Sequence, residues 1–504
     1  MFKKLAKVIG FAAVLVSIFA LATRVLVPEW FWDDMWPTTS TLAGFYELEE
    51  DSLDVLAMGS SAGQTAVIPQ VLYDEYGLSS YNLSFEKQNM LSAYYWLKEA
   101  LQYQHPSVVL LECRYYFEPD SNLPEMFFRK AFDPMRLSPV KKEAIKAVCE
   151  IDPEESELSY YLPLLRFHAR WSDLGYKASM EYYERGMSMN ELLGYRAFVY
   201  AENEDEGREI AAFEEDMEVK AFPAGNINGL YMDKIVELCK EEGIDLVLYH
   251  GPSVWHRVDR WKTLVEYGEA NNLPYIDFTT ARLMEELEYE YHQHSEGGNH
   301  PNIAGAAKIT RYLGDFLQEN YKIEKKYKES AKALFDAARP LYEGLTADYE
   351  LKHITNIEEY LEAVNSQKDR YIVFLSVKDD GAQHLSEEAV EALKNIGFEA
   401  KLEGLFRSSY LAIYNDGVVM EEAADELLES SGKFGNAFTY YACSAGGNSG
   451  AYSSVVINGD EYSSDMRGVN AVVYDKYTRS VIDMACFDTC ADGSCTRKHI
   501  YRHL

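Results

Sequence analysis

The chain is poor in cysteine, in basic side chains and in long apolar runs. Seven cysteines in 504 residues are too few and too scattered for a disulfide scaffold. Cys113, Cys149 and Cys239 stand far apart and are expected to be thiols inside the fold. Cys443, Cys486, Cys490 and Cys495 cluster near the C-terminus and leave room for one or two disulfides. Cys490 and Cys495 come without a histidine at zinc-binding spacing, so no metal site is expected there. Lysine and arginine total 48 against 82 acidic residues, a formal charge of −34. A polyanion would be repelled, which excludes nucleic acid as a partner. The acidic residues are spread along the chain and 47% of residues are apolar, so this is a folding sequence and not a charged tail. Its length implies two or three domains.

One apolar run is long enough to address a membrane. Lys3, Lys4 and Lys7 precede an uncharged stretch from Val8 to Thr23, followed by Arg24 and then Val25-Leu26-Val27. Basic residues ahead of the run predict a cytoplasmic tail over residues 1–7 and an exported remainder. As an anchor, residues 8–27 supply about 20 residues, close to what a spanning helix needs, with Arg24 reaching the outer interface. The other reading is a cleaved signal peptide ending at Ala20-Leu21-Ala22, a small-x-small pattern. The anchor is preferred because hydrophobicity resumes after Arg24.

From residue 45 to 322 short apolar runs alternate with helical ones. Val55–Met58, Tyr81–Leu83, Val108–Leu111, Leu246–Tyr249 and Tyr275–Asp277 are predicted strands. Met90–Tyr103, Tyr231–Glu242, Arg260–Asn271 and Ala304–Asn320 are predicted helices. That rhythm predicts an α/β domain with a parallel sheet covered on both faces. Residues 118–226 break it with acidic and aromatic helical material, a helical insertion beside the active edge. Within it Arg170 and Trp171 either meet substrate or, the preferred reading, pack the insertion. Residues 323–342 form a charged helical linker. The second domain, 343–504, is α/β or α+β: strands at Tyr371–Ser376, Tyr410–Tyr414, Phe438–Ala442, Ser453–Ile457, Ala471–Tyr474 and Ser480–Met484, and helices at Ser386–Asn395 and Glu421–Ser430. Gly446-Gly447-Asn448-Ser449-Gly450 lacks the Lys-Ser/Thr and the following helix of a phosphate cradle.

Ligands of open α/β sheets bind beyond the carboxyl ends of the strands. Five segments converge there: Ser60-Ser61, Asn82 with Ser84, Glu112 to Tyr115, His250 to Trp255, and His300. A serine hydroxyl becomes a nucleophile at neutral pH only beside a base, and His300 is the candidate. The histidines at 292 and 294 are expected in a solvated stretch, not as metal ligands.

At these residues the chain resembles the SGNH (GDSL-like) hydrolase and acyltransferase superfamily, in its membrane-anchored branch of D-alanyl transfer proteins and polysaccharide O-acetyltransferases. Asp54–Ser61 matches the serine block, Tyr81-Asn82-Leu83-Ser84 with Gln88 the second block, Tyr249–Trp255 the strand-Pro-Trp segment, and Asn299–Lys308 the histidine block. The resemblance implies a flavodoxin-like parallel sheet with Ser61 as nucleophile and His300 as base. It also implies Ser60, Asn82, Ser84, Gln88 and Trp255 around the substrate and oxyanion, with no cofactor and no metal. Three departures stand out. Gly297 occupies the place of the family's orienting Asp, leaving Glu296 as the substitute. Phe85-Glu86-Lys87 stands where small residues are usual, and no Gly-x-Asn-Asp follows the third strand.

The C-terminal domain resembles the interleukin-like EMT inducer (ILEI) domain, through Tyr371–Asp380, Leu385–Glu388, Phe406–Gly417, Ser453–Ser463, Arg467–Asp475 and Phe487-Asp488-Thr489. The order of the halves differs from the family's, as in a circular permutation. That resemblance implies a glycan-binding or protein-interaction module. Together the two imply an extracellular, membrane-anchored acyltransferase or esterase acting on a cell-envelope polysaccharide or acylated carrier, beside a membrane-bound O-acyltransferase. The alternative is a catalytically degenerate scaffold that binds envelope glycan or a protein partner.

Overall fold

Parallel strands that alternate with helices need cover on both faces. In the computed structural model, which describes residues 2–27, 38–172, 189–200, 209–326, 328–435 and 438–497, they have it. β1 (Val55–Met58), β2 (Ser80–Asn82), β3 (Val108–Glu112), β4 (Asp245–His250) and β5 (Tyr275–Asp277) form a parallel sheet in the order β2-β1-β3-β4-β5. Their side chains alternate between two layers, as strand geometry requires. Leu56, Met58, Val109, Leu111, Leu246 and Leu248 enter one core with Met90–Ala100 and Asn226–Glu242. Val55, Ala57, Val108, Leu110 and Val247 enter the other with Ile303–Asn320. The strand order reverses at β1 and β3, so a crevice opens at their carboxyl ends.

The chain divides into two compact units, Met1–Tyr342 and Glu343–Leu504. The first begins with the helix Phe2–Leu26; its segment Lys4–Thr23 has a mean hydropathy of 2.4 and is long and apolar enough to cross a membrane or to serve as a signal sequence. The side chain of Arg24 lies outside the described residues, as do 173–188 and 201–208 of the insertion. What is described of the insertion includes the short α-helices Glu125–Phe132, Pro139–Ile151, Glu157–Tyr161 and Leu164–Phe167. They gather around Arg129, fully buried against the Tyr160 ring at 3.6 Å and paired with Glu125 at 3.0 Å. Arg170 reaches the Leu26 carbonyl at 3.4 Å. Trp171 does not pack as expected; it is 70% exposed.

The second unit is mixed. β8 (Tyr371–Asp379) lies between β9 (Ser409–Asn415) and β15 (Gly468–Asp475), antiparallel to both. β10 (Val418–Ala424), β11 (Leu428–Phe434), β12 (Phe438–Gly446), β13 (Tyr452–Ile457), β14 (Asp460–Glu461), β16 (Ser480–Phe487) and β17 (Cys495–Arg497) complete a ten-stranded sheet. Helices Ile357–Ser366 and Glu387–Ile396 bury Tyr360, Leu361, Val390 and Leu393 against one face.

Two expectations are corrected here. Glu421–Ser430, rich in helix formers, is not a helix: it runs through β10 and β11. Pairing with β9 overrides propensity, and Glu421 is buried because it accepts from the Lys401 N–H at 2.9 Å and the Tyr410 hydroxyl at 3.0 Å. The helix expected at 323–342 is Glu329–Leu351, six residues later at its start and continuing into the second unit. None of the seven cysteines is paired in a disulfide.

Candidate active site

The serine turn is built by small residues and closed by buried acceptors. Gly59 follows β1 with φ +149°, and a Cβ there would lie 2.4 Å from the Cβ of Glu112. Only glycine lets β1 and β3 approach so closely before the turn. The Gly59 N–H donates to the Gln88 Oε1 at 2.8 Å. Ser60 then caps the helix Ser61–Ala66: its Oγ accepts from the Ala62 N–H at 3.3 Å and donates to the Glu112 Oε2 at 2.6 Å. Ser61, the first helical residue, is 7% exposed.

The histidine arrives on a hairpin. β6 (Ser295–Glu296) and β7 (His300–Pro301) pair with Glu296 opposite His300, which sets their side chains on one face. Gly297 and Gly298 turn at φ +68° and +80°. Asn302 caps the following helix through the Gly305 N–H at 3.1 Å, and the Gly298 carbonyl accepts from the Val254 N–H at 2.9 Å. From this hairpin the His300 Nε2 lies 3.0 Å from the Ser61 Oγ, across 239 residues of sequence. Burial first, then the positive charge of Arg114, lowers the imidazole's proton affinity to a pKa of about 3. At neutral pH the ring therefore carries no charge and one nitrogen is a proton acceptor.

The other expected residues hold this frame together. The Asn82 amide donates to the carbonyls of Gly63 and Val67, each at 2.9 Å, and its oxygen accepts from the Ser84 N–H at 3.3 Å. Gln88 donates to the Leu83 carbonyl at 3.2 Å. Ser60 is tied to Glu112, whose carboxyl sits above the usual range because it is buried, the Ser60 hydroxyl partly offsetting this. The Ser84 hydroxyl is buried without a hydrogen-bond partner and would lie 3.1 Å from a Cβ on Gly63, beside the serine helix. Trp255 is half exposed, with its ring against the Gly298 turn: a Cβ on Gly298 would stand 2.9 Å from it.

A second polar cluster adjoins this edge. His250, His256 and Asp277, at the ends of β4 and β5 and in the loop after β4, bring ligand-type atoms within 4.8 Å of one another and are all buried. His256 Nε2 meets Asp277 at 2.7 Å, while the Tyr275 hydroxyl and the Thr279 N–H donate to the same carboxylate at 2.6 and 2.9 Å. Burial works to raise the Asp277 carboxyl, but the charge and hydrogen bond of His256 outweigh it and bring it to about 2. His250 stacks on His256 with ring centres 3.6 Å apart and is held neutral by burial and by that neighbour. Among the described residues this is the set suited to a metal ion. Arg114 and Arg260 line a cavity of about 120 Å³ with His250, Ser253, Trp255 and His256. Sequence reasoning did not single out Arg114, Arg260 or the His256–Asp277 pair. Their one sequence signal is position: Arg114, His250 and Asp277 end or follow the carboxyl ends of three strands.

A protein-family model, interleukin-like EMT inducer (ILEI), matches residues 346–418. This stretch carries β8, the helix Glu387–Ile396 and β9. No curated protein matches the chain.

Proposed function

We propose that the first unit is a serine-dependent acyltransferase or esterase of the SGNH type, exported and held at the membrane, acting on a cell-envelope polysaccharide. The observation that carries this reading is the 3.0 Å contact between Ser61 Oγ and His300 Nε2, within the reach a general base needs. The strand order of the sheet, which is that of doubly wound open sheets, supports it.

In the proposed reaction Ser61 Oγ attacks an ester carbonyl and its proton passes to His300 Nε2. The C–O bond of the ester breaks, and the imidazolium returns the proton to the leaving alkoxide. An acyl-serine remains, and a glycan hydroxyl or water then takes the acyl group by the same steps in reverse. Glu296, opposite His300 in the hairpin, is the carboxylate proposed to steady the ring. The ILEI-like unit, taken as a permuted domain, holds glycan, and a membrane-bound O-acyltransferase supplies the acyl group.

A non-catalytic reading has its own support. The Asn82 and Gln88 amides, expected near the oxyanion, are spent on backbone groups, and Gly297 stands where an aspartate is usual. A fluorophosphonate probe applied to the full chain separates the two. Labelling of wild type that vanishes in Ser61→Ala and slows by about 10²-fold or more in His300→Ala is the expected result. Unlabelled wild type with intact glycan binding sinks the catalytic reading.

A further inference from the structure

The cavity between Trp255 and the His256–Asp277 pair holds two arginines, Arg114 and Arg260, whose guanidiniums form no salt bridge. Elsewhere Arg311, Arg339, Arg370, Arg407, Arg467 and Arg497 each face a carboxylate within 4.0 Å. Among the described residues no carboxylate stands that close to the guanidinium of Arg114 or Arg260, although the Arg114 backbone N–H donates to the Glu112 carboxylate at 2.7 Å. Glu118 also lines the cavity; one of its oxygens takes the amide of Asn122, and the charges of Arg260 and Arg114 act on it without a contact within 4.0 Å. Asp277 is saturated by His256, Tyr275 and Thr279.

Aromatic faces hold both guanidiniums in place. Arg114 lies over the Trp255 ring at 5.5 Å; Arg260 lies over Phe117 at 5.5 Å and Phe222 at 5.3 Å. Stacking occupies the flat faces and leaves the N–H edges for another partner. Two buried atoms on this cavity's lining residues have none: Arg260 Nε and His256 Nδ1. Unmet buried donors of a charged group are costly in a folded protein and call for a ligand. The volume, about 120 Å³, is roughly that of four waters, enough for one small oxyanion.

We propose that this cavity is a subsite for a compact oxyanion, the carboxylate or phosphate of an anionic glycan, bound by Arg114 and Arg260. Its role rests on the acyl-transfer reading, since Trp255 and Arg114 connect it to the hairpin that carries His300; its binding of an anion does not. Two guanidiniums and a saturated Asp277 favour an anion over a cation at this end of the sheet. An anion here would also offset the field Arg114 exerts on His300.

Isothermal titration of the full chain in detergent, with inorganic phosphate, glucuronate and uncharged glucose, tests this. One or both anions bind and glucose does not; Arg114→Gln and Arg260→Gln, verified as folded by circular dichroism, each weaken the anion by about tenfold or more. A preference for glucuronate assigns carboxylate glycans, and one for phosphate assigns phosphate-bearing polymers. Binding of neither anion, or binding unchanged in both variants, overturns the proposal. Probe labelling of Ser61 keeps the two readings apart: labelling without anion binding removes only the subsite, and anion binding without labelling removes only the acyl chemistry.

Discussion

His300 meets Ser61 at 3.0 Å, and its lowered proton affinity has a consequence for stability. Free histidine titrates near ~6.5, whereas in the fold the ring takes a proton only near pH 3. Between those values the unfolded chain binds the extra proton. The contribution of His300 is therefore fully present above about pH 6.5 and is lost as pH falls toward the folded value. His250 shifts in the same direction, so removing one histidine flattens the acid loss without abolishing it. Between about pH 6.5 and 4 the Tm of wild type is expected to fall more than that of His300→Asn. Parallel curves from calorimetry would show that His300 is already charged in the fold. The pairing of Ser61 with His300 was legible because each lies in a short local pattern, a strand-turn-helix and a capped helix start. The spent amides of Asn82 and Gln88 were not, because a side chain's partner is set by the backbone it happens to meet.

At the scale of elements, the β6–β7 hairpin is the part that carries His300 to Ser61. Gly298 sits at φ +80°, and a Cβ there would come within 2.9 Å of Trp255 and 3.1 Å of Val254. Gly298→Ala is expected to cost about 1–3 kcal/mol in backbone strain and to push the turn away from the Trp255 ring. Gly243→Ala is the control: φ is +69° and open space surrounds the position. Equal loss of Tm with slower Ser61 labelling only in Gly298→Ala is the expected outcome; equal labelling rates would show that Trp255 does not position the hairpin. The sequence placed the five parallel strands β1 to β5 to within a residue at either end, because each is centred on a short apolar or aromatic run between turns. It misplaced Glu421–Ser430, where Glu, Ala and Leu favour a helix locally. The N–H of Lys401 and the hydroxyl of Tyr410 compensate the buried Glu421 only in the paired strand.

At the scale of the molecule, each unit carries cores of its own. Leu393, 3% exposed, packs with Tyr360, Leu361 and Val373 in the second unit. Leu393→Ala leaves a cavity costing about 2–5 kcal/mol. Scanning calorimetry is expected to show a lowered Tm while Ser61 labelling at room temperature stays at the wild-type rate. Labelling that falls with the Tm would mean the serine site depends on the second unit's packing.

The sequence alone determined what is repeated or contiguous: the short runs that became β1 to β5, the N-terminal apolar helix, the capped helix behind His300, and the ILEI-like segment around β8 and β9. Local patterns suffice there, because side-chain periodicity and capping act within a few residues. Only the tertiary structure decided what converges. It set Arg114 and Arg260 on one cavity with neither guanidinium in a salt bridge, joined His256 to Asp277, and turned a helix-forming stretch into β10 and β11. Those outcomes depend on which distant groups share a buried space, where an unmet charge or hydrogen bond costs more than any local preference can return.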